Sequence, residues 1–287
     1  MATATAMPPK MPPAATAAKP TTAGLPTPTR AFNISRGVVG AGGKRIVIYA
    51  PGGGGKSTLA ALAPDPVFLD VEEGTKFINV DRIEGPNGER VLHTFTDVRE
   101  CLASLVSSPK KTIVVDSITV LEAWALAHTL ETVRTERGTT AENIESYGFG
   151  KGVRHLYDTF LLFMADCDNL VRAGKNVILI AHDCTANVPN PAGEDYIRYE
   201  PHLQSPKSGQ SSIRNRVIQW ADYVLFIGYD VVTKDGKGRG AGTRTIFTSE
   251  LPTHIAKSRT QIDNLPFRNA NDGEIWKHIC GNNGGNQ

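Results

Sequence analysis

The chain has 287 residues, which is enough for one large α/β domain around a single core. It contains 31 Lys and Arg residues and 29 Asp and Glu residues, and its net charge is +2. Three of the cations, Lys10, Lys19 and Arg30, lie in the first 30 residues, where no acidic residue occurs, so the rest of the chain carries a net charge of −1. Composition therefore does not indicate a nucleic-acid-binding protein, and any basic surface has to be local.

The N-terminal segment differs in composition from the rest of the chain. Residues 1–30 are rich in Ala, Thr and Pro, cannot bury a core, and are expected to form a disordered tail. Prolines interrupt every apolar run that could act as a secretory signal, and no run approaches the ~18 residues of a membrane span. We therefore expect a soluble cytoplasmic protein without a membrane partner. Its predicted parts are the tail, a core over residues 31–268, and a C-terminal extension over residues 269–287 that ends in disorder.

The first predicted element is a short apolar strand, Arg45 to Ala50, that leads into four glycines and the start of a helix. Consecutive glycines let backbone N–H groups turn towards phosphate oxygens, and the start of a helix favours an anion. In this pattern Lys56 reaches the β- and γ-phosphates of ATP, and the Ser57 hydroxyl binds Mg²⁺. Ala50 stands where the strict pattern has glycine, and the alternative is a glycine-rich turn that carries a lysine. The predicted nucleotide-binding residues are Pro51, Gly52, Gly53, Gly54, Gly55, Lys56, Ser57 and Thr58.

A second apolar strand, Pro66 to Val71, follows the first helix and ends among acidic residues. We expect this strand to lie next to the glycine-loop strand, where a carboxylate at its end polarises the water that attacks the γ-phosphate. Glu72 is the candidate, and Glu73 is its substitute. The alternative is an acidic loop in which Asp70 caps a helix.

A third strand, Lys111 to Ser117, is apolar from Ile113 to Val115 and then delivers one carboxylate, Asp116. Ligands of parallel sheets bind at the carboxyl ends of the strands, so Asp116 is predicted to hold Mg²⁺ from the side opposite Ser57. Helices are predicted by apolar spacing on either side of this strand, at Thr96 to Ser107, Val120 to Arg137 and Val153 to Ala173.

A fourth strand, Asn176 to Asp183, places His182 at its end, where a polar group can contact the γ-phosphate or form a hydrogen bond in the sheet edge. Residues 184–212 show no period and are predicted to be a long functional loop. A fifth strand, Ala221 to Asp230, pairs through a hairpin with Thr243 to Ser249. This order predicts an open α/β sheet that is mostly parallel, is flanked by helices and has an antiparallel edge hairpin.

Four segments occur in the order found in the RecA/RadA recombinase core. They are Phe68–Glu72, Ile113–Ser117, Val177–His182 and Ala256–Arg259. Over about residues 44–260 the chain resembles that core, and it looks in particular like the phage RecA-like ATP-binding proteins of the Sak-four single-strand annealing group. The resemblance implies a RecA-like P-loop NTPase fold, ATP and Mg²⁺ as ligands, and a homo-oligomer, ring or filament, with nucleotide at the interface between protomers.

The resemblance also implies a role for each matching residue. Glu72 matches the catalytic glutamate, Asp116 the Mg²⁺-associated aspartate, and His182 the residue that senses the γ-phosphate. Lys257 and Arg259 match a Lys-x-Arg motif whose cations reach the ATP of the neighbouring protomer. An ordinary exposed pair of cations is the alternative for these two. Residues 138–152 and 184–212 match two mobile loops that face DNA.

Single-stranded DNA is the expected partner, and cations and aromatic side chains near the two loops and the hairpin could contact it. These residues are Lys207, Arg214, Arg216, Lys234, Lys237, Arg239 and Arg244, together with Tyr147, Phe149 and Tyr157. The leading hypothesis is an ATP-dependent RecA-like enzyme of phage recombination or annealing. A nucleotide-gated assembly or regulatory factor that never binds DNA, and a ring-shaped DNA motor, are the alternatives.

Overall fold

The structure is a computed structural model that describes residues 34, 36, 42–234 and 237–281, apart from the side chains of residues 232–241. The tail predicted over residues 1–30 and the end of the chain after residue 281 lie outside the described residues. From residue 42 onward the described residues belong to one compact unit. None of their helices is both long enough and apolar enough to cross a membrane.

One ten-stranded sheet organises the described part of the chain, and six α-helices accompany it. The strands are β1 (Arg45–Ala50), β2 (Pro66–Asp70), β3 (Asp81–Arg82), β4 (Thr112–Asp116), β5 (Asn176–Val188), β6 (Tyr196–Pro201), β7 (Tyr223–Lys234), β8 (Lys237–Phe247), β9 (Lys257–Ser258) and β10 (Leu265–Pro266). The helices are α1 (Lys56–Ala61), α2 (Phe95–Leu105), α3 (Ile118–Thr132), α4 (Lys151–Arg172), α5 (Ile213–Trp220) and α6 (Glu274–Ile279).

The strand order across the sheet is β10-β8-β7-β1-β5-β4-β2-β3, with β6 paired to β5 and β9 to β7. The pairs from β7 to β2 are parallel, whereas β8 and β10 add an antiparallel edge. Parallel strands buried on both faces are expected to be continuously apolar, as β1 and β4 are. The predicted fold class, an open α/β sheet that is mostly parallel, is flanked by helices and has an antiparallel edge, is confirmed.

The two faces of the sheet bury separate apolar cores because side chains along a strand alternate between faces. Val47 and Tyr49 of β1 pack into the core that contains the apolar sides of α2, α3 and α4. Ile46 and Ile48 pack into the core that contains α1 and α6. At ~25 cal/mol per Å² of buried apolar surface, these two cores supply most of the stability of the fold.

The helix boundaries follow local signals. α2 begins with a capping box in which Thr94 and Asp97 each accept a backbone N–H of the other residue. The Ser117 and Ser212 hydroxyls accept the first backbone N–H groups of α3 and α5. α4 ends just before Gly174, whose φ of 85° is left-handed and whose N–H donates to the Val171 carbonyl.

The structure differs from the sequence predictions in two places. β2 is not a neighbour of β1, because β5 and β4 lie between them. Residues 184–212 are not one loop without structure, since β5 continues to Val188 and pairs with β6 in antiparallel register from Asp183–Pro201 to Val188–Tyr196. The sequence of β6 has no long run of apolar residues, and apolar and polar residues alternate along only part of it. Its pattern therefore does not by itself predict a strand in this polar segment.

The segment predicted as a C-terminal extension packs against the core. Its helix α6 buries Ile275, Trp276 and Ile279 together with α1. The Trp276 indole N–H donates to the Leu59 carbonyl at 2.8 Å, and Leu59 lies in α1. Residues up to 281 are therefore part of the packing that supports the glycine loop.

Candidate active site

The glycine loop connects β1 to α1 at the carboxyl edge of the sheet. Gly53 and Gly55 have φ values of 73° and 97°, a left-handed conformation that other residues adopt only at a cost. Gly55 is the residue that precedes α1, and the Gly54 N–H donates to the Pro51 carbonyl at 2.9 Å. The loop is thus shaped by backbone geometry, which leaves its other N–H groups for phosphate oxygens.

Lys56 and Ser57 begin α1 and lie beside the end of β4. The Lys56 ammonium donates to the Ala50 carbonyl at 3.0 Å. Burial lowers the pKa of Lys56, although the carboxylates of Asp116, Asp183 and Glu72 act in the opposite direction. The Ser57 hydroxyl donates to the Asp116 carboxylate at 2.5 Å.

Asp116 ends β4 and is only 5 % exposed. Burial raises the pKa of this carboxyl to about 6, and the Ser57 hydrogen bond opposes that rise while nearby Glu72 and Asp70 add to it. A hydroxyl oxygen and a carboxylate oxygen side by side are the donors that Mg²⁺ prefers, so Ser57 and Asp116 fit the ion. Among the described residues no three His, Cys, Asp or Glu side chains gather as metal ligands.

Glu72 follows β2 and is held between two neighbouring strand ends. Its backbone N–H donates to the Asp116 carbonyl at 3.2 Å, which ties the end of β2 to the end of β4. The Ser117 hydroxyl donates to its Oε1. The His182 Nε2 lies 2.9 Å from Oε1 and 3.1 Å from Oε2. The carboxylate is therefore oriented from two sides.

His182 lies on β5, one strand closer to the glycine loop than β4. Its backbone N–H donates to the Thr119 hydroxyl at 3.0 Å, and its carbonyl accepts the His202 N–H at 2.8 Å. The imidazole side chain is 42 % exposed and reaches Glu72. The structure thus joins three of the predicted groups, Glu72, Asp116 and His182, at one edge.

The two other acidic residues at or just after the end of β2, Asp70 and Glu73, have separate partners. The Asp70 carboxylate accepts the backbone N–H groups of Gly74 and Thr75, each at 2.9 Å, and so caps a short 3-10 turn over Gly74–Phe77. Glu73 forms ion pairs with Arg90 and Lys76. Of the three acids, Glu72 is the one that contacts Ser117 and His182.

The cations near the C-terminal end of the predicted core contact their own chain. The Lys257 ammonium donates to three carbonyls at the end of α5, at 2.6 to 3.3 Å, those of Ile218, Gln219 and Ala221. Burial lowers the pKa of Lys257. Arg259 pairs with Asp222 at 2.7 Å and keeps 61 % of its side chain exposed. The structure does not bring these two residues to the glycine loop of the same protomer.

The residues proposed to contact DNA fall into different environments. Tyr147 is buried and donates its hydroxyl to the Thr129 carbonyl, whereas Phe149 is fully exposed. Arg214 pairs with Glu200 at 2.6 Å. Lys207 and Arg216 are exposed, and Tyr157 is half-buried. The side chains of Lys234, Lys237 and Arg239 lie outside the described residues.

Two contributors to the site were missed by sequence reasoning. Ser117 follows Asp116 directly, and a hydroxyl next to a predicted metal ligand was a signal that could have been used. The sequence places Arg244 on the hairpin as a possible DNA contact, yet its Nη1 donates to the Gly54 carbonyl at 2.9 Å. This contact joins residues 190 positions apart, and no local pattern indicates it.

A nucleotide-binding loop, a Mg²⁺-compatible Ser–Asp pair and an oriented glutamate on this fold define a P-loop NTPase. In agreement, residues 42–260 match the family model AAA_24, described as an AAA domain. The chain belongs to this family of AAA domains. No curated protein sequence matches the chain.

Two solved structures resemble the chain at low similarity. A KaiC-like protein from the hyperthermophilic archaeon Pyrococcus horikoshii OT3 is 14 % identical, over 80 % of this chain and 88 % of that one, with a TM-score of 0.43. The RadB recombinase is 15 % identical, over 80 % of this chain and 90 % of that one, with a TM-score of 0.39.

Proposed function

We propose that this protein binds ATP together with Mg²⁺ and hydrolyses it. The observation that carries the proposal is the meeting of five side chains from the start of α1, the segment just after β2, the end of β4 and the middle of β5. They are Lys56, Ser57, Glu72, Asp116 and His182. An oxygen-ligated divalent cation at Ser57 and Asp116 would offset the negative charge on the transferred phosphoryl group.

In this mechanism each residue has a separate task. Lys56 exchanges its hydrogen bond with the Ala50 carbonyl for the β- and γ-phosphate oxygens. Glu72 accepts a hydrogen bond from the attacking water and takes its proton as the oxygen bonds to the γ-phosphorus and ADP leaves. Ser117 and His182 keep the Glu72 carboxylate aimed, because both contact it directly. His182 is also the proposed contact of the γ-phosphate, a role that would couple the phosphate to β5.

The test is a steady-state ATPase assay with Mg²⁺ and parallel measurements of ATP binding. Lys56→Ala should weaken ATP binding at least about 100-fold, because a charge-assisted contact to phosphate is lost. Glu72→Gln should bind ATP normally and lower kcat about 100-fold or more. Glu73→Gln is the matched control, because that neighbouring carboxylate pairs with Arg90 and Lys76 instead. Wild-type turnover by Glu72→Gln would overturn the proposal.

For the partner, we propose single-stranded DNA, as in phage recombination or annealing. Phe149 supports this, since its fully exposed ring lies between Gly148 and Gly150, both with positive φ, in the first of the two proposed DNA loops. An exposed aromatic ring is a stacking surface for an unpaired base, and exposed Lys207 adds a cation for a phosphate. Oligonucleotide binding that requires ATP, weakens steeply with salt and drops roughly ten-fold in Phe149→Ala would support this role.

A nucleotide-gated assembly factor that never binds DNA is the second candidate. Arg198 and Arg214 favour it, because both pair with the buried Glu200 carboxylate and are not available to a phosphate backbone. The same oligonucleotide titration decides between the two candidates. ATP hydrolysis without salt-dependent oligonucleotide binding would favour the assembly factor and exclude the DNA-dependent role.

A further inference from the structure

The groups that flank the glycine loop differ between the two sides of β1. Glu72, Asp116 and His182 come from β2, β4 and β5, which all lie on one side of β1 in the sheet. β7 and β8 lie on the other side. A triphosphate whose γ end points at Glu72 must send its α end, and therefore the nucleoside, towards the β7 side.

On that side, Tyr229 of β7 stands next to the loop. Its hydroxyl is 3.8 Å from the position that a Cβ on Gly53 would occupy. The side chain is 48 % exposed although the residues before it on β7, from Tyr223 to Gly228, are buried. A half-exposed aromatic ring beside a phosphate loop offers a flat apolar face to a nucleobase.

The strand pairing fixes where this ring points. Tyr229 lies directly opposite Arg244 of β8, so both side chains share one face of the sheet. The register shifts immediately after Tyr229, and the Asp230 carboxylate accepts the hydroxyls of Thr243 and Thr245 at 2.5 and 2.8 Å. These bonds bracket Arg244 and hold the irregular register in place.

Arg244 connects this strand pair to the loop itself. Its guanidinium donates to the Gly54 carbonyl and lies 4.6 Å from the centre of the Phe267 ring. Phe267 is 1 % exposed, and a Cβ on Gly55 would lie 2.6 Å from its ring and 2.7 Å from Arg244. The loop, Arg244 and Phe267 are closely packed. Because Tyr229 is the strand partner of Arg244, its distance from the loop is held by the same contacts.

We propose that Tyr229 is the nucleobase platform of this site: its ring stacks on the base of a nucleoside triphosphate whose phosphates occupy the glycine loop. Arg244 is a positioning residue that keeps the ring and the loop in register. This inference rests on the proposed ATP binding. Because every base has a flat π-face, a stacking platform holds adenine and guanine nucleotides with similar affinity.

The experiment compares a ligand that has a base with one that lacks it. Calorimetric titrations of ATP and of inorganic triphosphate, both with Mg²⁺, are made on the full chain. Tyr229→Ala should bind ATP roughly ten-fold more weakly and inorganic triphosphate unchanged, because only ATP loses a stacked base. Tyr229→Phe keeps the ring and should match the unmodified chain. Phe77→Ala is the control, since this fully exposed aromatic side chain lies beyond β2, on the opposite side of β1.

Each outcome has a definite meaning. An equal loss for both ligands in Tyr229→Ala would show that Tyr229 supports the loop, and unchanged ATP affinity would place the base elsewhere. Either result overturns the platform and leaves the proposed ATP binding intact. If the unmodified chain binds neither ATP nor triphosphate, the proposed function fails and this inference fails with it.

Discussion

Two groups of charged side chains adjoin β5, and they differ in how far their charges are satisfied within the chain. The open group consists of Lys56, Glu72, Asp116 and His182. Its ammonium donates to a backbone carbonyl, and its carboxylates contact hydroxyls and an imidazole. The closed group consists of Arg198, Glu200 and Arg214, in which two guanidinium groups pair with one buried carboxylate at 2.6 Å each.

We interpret the charged side chains of the open group as groups that bind a ligand, and those of the closed group as groups that stabilise the fold. In the open group, burial and neighbouring carboxylates raise the pKa of Asp116, so its ionised form is held at a cost that the proposed Mg²⁺ would offset. In the closed group, the ion pairs of Glu200 with Arg198 and Arg214 offset the desolvation cost of burying these charges. Removing a member of the open group should therefore cost activity, and removing a member of the closed group should cost stability.

The largest expected effect comes from Asp116→Asn, which should lower Mg²⁺-dependent hydrolysis about 1,000-fold without destabilising the nucleotide-free protein.

The same variant should change how stability depends on pH. The pKa of Asp116 is raised from 3.8 to about 6 in the folded protein, so the folded state holds the carboxyl proton more tightly than the unfolded state does. The free energy of unfolding of the unmodified chain therefore falls as pH rises from about 4 to about 6. The neutral asparagine should therefore gain about 3 kcal/mol above pH 6, a gain that disappears towards pH 4. Urea unfolding at several pH values measures this difference.

The closed group should respond in the opposite way. Glu200→Ala removes the buried carboxylate that both guanidinium groups share, although Arg198 keeps its pair with Glu250, and should cost about 3 kcal/mol of unfolding free energy. Glu250→Ala is the control, because this exposed carboxylate also pairs with Arg198, at 2.9 Å, and should cost less than about 0.5 kcal/mol. Equal urea midpoints for the two variants would contradict the division into open and closed groups.

Variants of Lys257 and Arg259 can show whether each of these cations stabilises the fold or acts at the proposed contact between protomers. Lys257→Met removes the donor to three carbonyls at the end of α5 and should cost about 1 to 2 kcal/mol of stability. Arg259→Ala should cost less than about 0.5 kcal/mol, because its ion pair is exposed.

Activity in mixtures then distinguishes a role in trans. If Arg259 reaches the neighbouring ATP, Arg259→Ala and Lys56→Ala are each inactive alone, and a mixture recovers part of the hydrolysis, because some interfaces combine an intact loop with an intact arginine. Hydrolysis by Arg259→Ala alone at the unmodified rate would remove this residue from the mechanism.

A further effect, on pH dependence alone, concerns Glu122, an α3 carboxylate that accepts the Gln204 N–H with both oxygens, at 3.0 Å each. Burial raises the pKa of this carboxyl from 4.5 to about 7. Stability should therefore fall as pH rises from about 4.5 through 7, because the folded state holds the proton more tightly. Glu122→Gln should reduce that fall by on the order of 1 kcal/mol, and an unchanged pH profile of urea midpoints would argue against the raised pKa.

Much of the fold and of the nucleotide site is predictable from the sequence, because its strands are continuous apolar runs and its motifs stand at their ends. Which acid after β2 faces the site is not predictable from local pattern, since Asp70, Glu72 and Glu73 differ mainly in which partner the tertiary fold supplies. β6 pairs through backbone groups along a polar segment, and Lys257 stabilises a helix end that is distant in sequence. The spacing of residues along the chain does not predict such long-range contacts.

The position of β1 in the sheet has a consequence for the order of events during translation. Both strands that flank it, β5 and β7, begin at Asn176 and Tyr223, well over a hundred residues after it in the chain. The glycine loop therefore leaves the ribosome long before its strand has partners, and the helix that packs behind it, α6, is made last of all the described elements. A nucleotide that binds only the folded protein would therefore stabilise the loop only after β5 and β7 have been made.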